Sequence, residues 1–165
     1  MGHCDITSRP LVLLDVDGVI NDLGHLAGHS RPWETRVFEA NGFRIHIPDY
    51  MPHLIQTIAE ITEIHWCTTW RDRANSEIAP ALGVGPFPVI DDGTDAMYPD
   101  WKAAAAYDLV SKAIGDARSV IWIEDFYGDV PTDLMPAGVE YVDTALVPHG
   151  AVLIPELLPP ELLPV

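Results

Sequence analysis

Three apolar runs in this chain stop at side chains that handle charge, and a lysine opens a fourth element. Leu11 to Leu14 lead into Asp15-Val16-Asp17-Gly18, a second run ends in Thr68-Thr69, another ends in Glu124-Asp125, and Lys102 begins an Ala-rich stretch. Carboxylates crowded at one place repel unless a cation joins them. Three or four carboxylates, two hydroxyls and one ammonium together suit a divalent cation and a phosphoryl group. Asp15 and Asp17 are two positions apart, so at a strand end where the chain turns, one can act on phosphorus and the other on the leaving oxygen. Gly18 permits that turn. Asp125 offers a hard oxygen ligand for Mg²⁺, Thr68 a donor to a phosphoryl oxygen, and Lys102 a positive charge on the same group.

Each piece has an ordinary explanation on its own. The Asp-x-Asp-Gly opening also begins a calcium loop, but that loop wants an acidic residue and a Glu where Val19 and Leu26 stand, and a preceding helix. Thr68 alone is a strand-end hydroxyl, Lys102 alone a solvated helix residue, and Glu124-Asp125 alone a turn. Their order, each at an element end, is what argues for a site.

The elements that must carry these residues alternate short apolar runs with amphipathic stretches, the pattern of parallel strands crossed by helices. Leu11–Leu14 reads as a buried strand. Thr35 to Ala40 and Phe43 to Ile47 flank Asn41-Gly42, a hairpin turn signal, with Phe43, Ile45 and Ile47 on an apolar face and Arg44 and His46 on a polar one. Met51, Leu54, Ile55, Ile58 and Ile61 repeat at helical spacing behind Pro52. Strands are expected at Ile64 to Thr68, Phe87 to Ile90, Ser119 to Ile123 and Val139 to Val142. Helices are expected over Arg71 to Leu82, stopped by Gly83, and over Trp101 to Ile114, with Asp100 as N-cap. In such sheets ligands bind beyond the carboxyl ends of the strands, where the charged residues fall.

The whole predicts an α/β fold: a Rossmann-like parallel sheet of about five strands with helices on both faces, plus a small hairpin flap after the first strand. With 165 residues, 48% of them hydrophobic and 21% charged, one domain is expected and disorder is excluded. Its core spans about residues 11–145, the flap insert about 21–48, and a Pro- and Leu-rich tail, about 148–165, packs across it. A net charge of −16 disfavours sequence-independent duplex binding. Cys4 and Cys67 are too few for a disulfide framework, and no run reaches the roughly 18 apolar residues of a membrane span. No targeting segment is legible, so a cytoplasmic protein is expected. The sequence leaves the oligomeric state open.

The constellation resembles the haloacid dehalogenase superfamily. Leu13-Leu14-Asp15-Val16-Asp17-Gly18-Val19 is similar to its first motif, His65-Trp66-Cys67-Thr68 to its second, Lys102 to its third, and Ile121-Trp122-Ile123-Glu124-Asp125 to its fourth. Leu13 to Asn21, Trp66 to Asn75 and Trp122 to Asp125 look most like small domains of that superfamily found alone or fused in RNA-repair proteins. The resemblance implies a phosphatase in which Asp15 attacks phosphorus to form an aspartyl phosphate. Asp17 would protonate the leaving alkoxide and then activate water. Mg²⁺ would be held by Asp15, the Asp17 main-chain carbonyl and Asp125, with Thr68, Thr69 and Lys102 binding substrate. Glu124 and Asp129 are auxiliary candidates, Glu124 either touching the metal or orienting Lys102.

The expected substrate is a nucleotide, a nucleic-acid end or another small phosphate ester. Trp70 and Trp33 either stack a nucleobase or pack for bulk. Arg31, Arg71 and Arg73 either grip a second phosphate or serve the fold, and His65 is expected in the core. A non-catalytic phosphate-binding or protein-interaction module is the alternative, and phosphomutase chemistry a third outcome.

Overall fold

The computed structural model describes residues 8–95 and 100–163. Cys4 lies outside them. Strand β1 (Leu11–Leu14) is buried along its whole length because it pairs on both sides, as a continuous apolar run requires. After it come a single turn α1 (Leu23–Leu26) and the antiparallel hairpin β2 (Thr35–Ala40) and β3 (Phe43–Pro48). Asn41 and Gly42 take φ of 49° and 78°, the left-handed pair a tight hairpin turn demands. Helix α2 (Met51–Ile61) follows, then β4 (Glu63–Trp66). The next segment is a wide π turn at Ala74–Ile78 that continues into α3 (Ala79–Leu82), ended by Gly83 at φ 68°. Helix α4 (Trp101–Gly115), β5 (Val120–Glu124) and β6 (Val139–Asp143) complete the set.

Among the described residues the main sheet has four parallel strands in the order β4-β1-β5-β6. That corrects the expected count of about five. Phe87 to Ile90 makes only an isolated parallel bridge, Val89 beside Trp66, with the Trp66 N–H donating to Pro88 O and the Ile90 N–H to Trp66 O. Pro86 and Pro88 carry no N–H, so the ladder cannot extend toward the start of that segment. The register sets Leu14 beside Trp66 on one side and Ile123 on the other, so Asp15, Thr68 and Glu124-Asp125 leave the sheet at one edge.

Alternation along β1 divides the core. Val12 and Leu14 join Ile121 and Ile123 in a larger cluster under α2, α3 and the hairpin, while Leu11 and Leu13 join Val120 and Trp122 under α4. Helices therefore cover both faces. Val152, Leu153, Leu158 and Leu162 lie in the larger cluster, and the Leu153 N–H donates to Val19 O. One feature of the hairpin departs from expectation. His46 is 6% exposed rather than solvated, because the polar face of β3 packs on α1, and its Nδ1 sits 2.7 Å from that of His25. No helix among the described residues is long and apolar enough to cross a membrane.

Candidate active site at the carboxyl edge of the sheet

Asp15 sits at the centre of the sheet edge, 5% exposed, because β1 is an inner strand and the chain turns away immediately behind it. Its Oδ1 accepts from the Val16 N–H at 2.8 Å, and Thr68 gives it a side-chain hydrogen bond from the end of β4. Lys102, in the first turn of α4 and 2% exposed, reaches up between two acids. Its Nζ is 3.2 Å from Asp15 Oδ2 and 2.7 Å from Glu124 Oε1. The other Glu124 oxygen accepts from Trp122 Nε1 at 2.9 Å. Glu124 is thus occupied at both oxygens.

Asp125 differs. It has no side-chain donor among the described residues, and ligand atoms of Asp15, Glu124 and Asp125 all lie within 4.8 Å of one another. Gly18, at φ 77°, makes this approach possible, since a Cβ there would sit 2.5 Å from Asp125 Oδ2. The Thr144 hydroxyl fastens the same turn, donating to Gly18 O at 2.6 Å.

One ammonium does not balance these acids. Burial, reinforced by the Asp15 charge, pushes the Asp125 carboxyl up to about 7. Burial also raises Asp15 against the pull of Lys102, and raises Glu124 along with it. Burial alone would lower Lys102, but Asp15 and Glu124 outweigh it and hold the ammonium charged. Carboxylates costly to ionise together, one of them with no side-chain donor among the described residues, are a donor set that a hard divalent cation fits.

Asp17 is brought to the same edge and held by two donors, Asn21 Nδ2 to Oδ1 and Trp70 Nε1 to Oδ2, each at 2.9 Å. Thr69 lies next to Thr68, half-buried. Asp129 is exposed and is not among the three acids whose ligand atoms meet within 4.8 Å, but it lines a cavity of about 530 Å³ together with Glu124 and Asp125. Trp122, Phe126 and Leu134 line it with apolar surface, and Asp100 adds a further carboxylate. Asp100 precedes α4 as expected but makes no side-chain cap.

Most of the residues expected to recognise substrate are engaged within the fold instead. Trp33 donates to Asp22 Oδ2 at 3.2 Å and meets Tyr50 edge-on. The Arg31 guanidinium grips Asp22, its Nη2 2.7 Å from Oδ1. Arg71 pairs with Asp91 and Asp92 and lies over the Trp101 ring. Arg73 is exposed. His65 is half-buried and bonds to Glu63. Cys67 is a buried free thiol that burial pushes up. Asn21 and Thr144 are parts of the site that the sequence did not point to, and Trp70, expected to stack a base or to pack, holds Asp17 instead. Their types are unremarkable, and only the fold reveals what they touch.

No family model matches the chain, and no curated protein matches it. Among solved structures, a Vibrio cholerae chain described as a candidate 3-deoxy-D-manno-octulosonate 8-phosphate phosphatase is similar at 18% sequence identity and a TM-score of 0.41, over 84% of this chain and 69% of that one.

Proposed function

We propose that this protein is a Mg²⁺-dependent phosphomonoesterase that works through an aspartyl phosphate on Asp15. The observation that carries the reading is Lys102 Nζ lying between Asp15 and Glu124, with an Asp125 oxygen within 4.8 Å of both acids. Asp15 and Asp125, with the Asp17 main-chain carbonyl, would hold the ion. When bound, Mg²⁺ supplies charge that lets a dianionic phosphoryl group approach these acids.

An Asp15 oxygen forms a bond to phosphorus while the ester P–O bond breaks. The leaving oxygen keeps that electron pair and takes a proton from Asp17. Water then attacks the aspartyl phosphate, giving its proton to Asp17 and freeing Asp15. Lys102 and Thr68 neutralise and orient the phosphoryl oxygens throughout. Glu124, held at both oxygens, positions Lys102.

Among the substrates considered, a small phosphate ester fits best. The neighbouring cavity offers aromatic and aliphatic walls and carboxylates, with no cation among the described residues that line it. A second phosphate there would meet only repulsion. Of the three arginines that would otherwise serve a nucleic-acid end, Arg31 and Arg71 are committed to Asp22 and to Asp91 and Asp92, and Arg73 alone is exposed.

The test is phosphate release from an aryl phosphate and from a nucleotide panel, with Mg²⁺ or with EDTA. Turnover should need the metal, vanish in Asp15→Asn and favour esters with one phosphate. Metal-dependent release that survives Asp15→Asn would overturn the mechanism. Stabilisation by phosphate without turnover would favour the non-catalytic module.

A further inference from the structure

Asp17 is gripped at both ends of its carboxylate, and both grips lead to the hairpin. Asn21, 3% exposed, donates to Oδ1 while its own Oδ1 accepts the backbone N–H of His46 on β3 at 2.8 Å. Trp70, 9% exposed, donates to Oδ2, and its ring meets Phe43, at the hairpin tip, edge-on at 6.2 Å between centroids. Neither donor can swing away without disturbing β3 or the packing around Trp70. A carboxyl group with one donor on each oxygen still has lone pairs to spare. It can therefore carry or take a proton while its plane stays fixed.

We propose that Trp70 and Asn21 are positioning residues that aim Asp17 at the ester oxygen of a bound phosphomonoester, and that the β2–β3 hairpin sets the aim. This rests on the phosphatase reading. The step they serve is the first one: as the ester P–O bond breaks, the proton on Asp17 moves to the departing oxygen. A departing alkoxide needs that proton, whereas a dinitrophenolate is stable without it. General acid catalysis contributes on the order of 10² to 10⁴ in rate, and loss of aim forfeits a part of it.

The experiment compares kcat/KM for an alkyl phosphate and for 2,4-dinitrophenyl phosphate, with Mg²⁺ present, in the wild type, Trp70→Phe and Phe43→Ala. Because kcat/KM reports the barrier from free enzyme and substrate, it isolates the first phosphoryl transfer from the later hydrolysis wherever that transfer is irreversible. Trp70→Phe keeps the ring and removes the N–H. It should lower kcat/KM for the alkyl ester about tenfold or more and for the dinitrophenyl ester less than twofold, with the alkyl loss in kcat rather than KM. Phe43 is 56% exposed, so Phe43→Ala keeps the fold and should cost the alkyl ester a few-fold. If Trp70→Phe fails to fold, Phe43→Ala decides the matter alone. Equal losses on both esters, or none on either, would overturn the positioning role while leaving a phosphatase. A wild type that turns over neither ester overturns the phosphatase reading, and the positioning role with it.

Discussion

Two buried aspartates seven positions apart, Asp15 and Asp22, are both paired with a buried cation, yet their surroundings differ in kind. Asp22 is fully buried and saturated. Arg31 Nε and Nη2 bind it from one side, Trp33 Nε1 donates to Oδ2, and the His25 N–H caps α1 on Oδ1. The guanidinium reaches on to Pro148 O and Gly150 O and so ties down the tail. Gly24 leaves the room, since a Cβ there would collide with the guanidinium. One anion faces one cation, and their hydrogen bonds are directed inward. Asp15 shares its lysine with Glu124, has Asp125 close by, and sits among acids that burial and mutual repulsion make hard to ionise. Burial and pairing alone therefore do not distinguish a structural charge from a reactive one. The imbalance does, because a saturated cluster has nothing left to offer a ligand.

The largest expected effect breaks the comparison in two. Asp22→Ala leaves the Arg31 charge buried without its partner and should cost about 3 to 5 kcal/mol in urea unfolding, enough to unfold much of the protein. Asp15→Asn removes a charge the fold already disfavours, so stability should change by less than about 1 kcal/mol while turnover falls on the order of a thousandfold or more. Equal destabilisation by the two substitutions would mean that Asp15 is as structural as Asp22.

The contrast also separates what the sequence could show from what it could not. Leu11–Leu14, the Asn41-Gly42 hairpin and the Pro52 helix were legible because an apolar run, a turn dipeptide and a helical period are local facts. Asp15, Thr68, Lys102 and Asp125 were legible as a group because each ends or begins an element at one sheet edge. Partnerships were not. Trp70 reaches Asp17 across 53 positions, and Arg31 reaches tail carbonyls well over a hundred positions on. An indole or a guanidinium in sequence does not declare whether it will meet a ligand or a carboxylate of its own fold. The buried face of His46 was hidden for the same reason. It packs on α1, one turn too short to leave a periodic pattern.

A smaller effect sharpens the comparison at the metal. If the excess acid is a cation site, Mg²⁺ at ten times its dissociation constant should raise stability by about 1.4 kcal/mol, read as a thermal shift in the absence of substrate. Asp125→Asn should abolish that shift. His53→Gln, on α2, should leave it intact. A shift that persists in Asp125→Asn would place the ion elsewhere.

The smallest effect concerns pH and belongs to the Asp22 side. Burial lowers the His46 pKa, and the nearby His25 and Arg44 charges lower it further, against the opposing pull of Asp22. Its Nε2 is buried without a partner among the described residues, so a protonated ring would point an N–H at no acceptor. The unfolded chain takes up this proton near pH 6.5, while folded His46 resists until a lower pH. Between those values the unfolded state binds more protons, so stability falls as the solution is acidified below about 6.5 and levels off below the folded value. One group accounts for at most about 1.4 kcal/mol per pH unit. Urea unfolding at stepped pH should show that decline in the wild type and a shallower one in His46→Gln. An unchanged slope in His46→Gln would assign the acid sensitivity to another group and leave the base of the hairpin indifferent to pH.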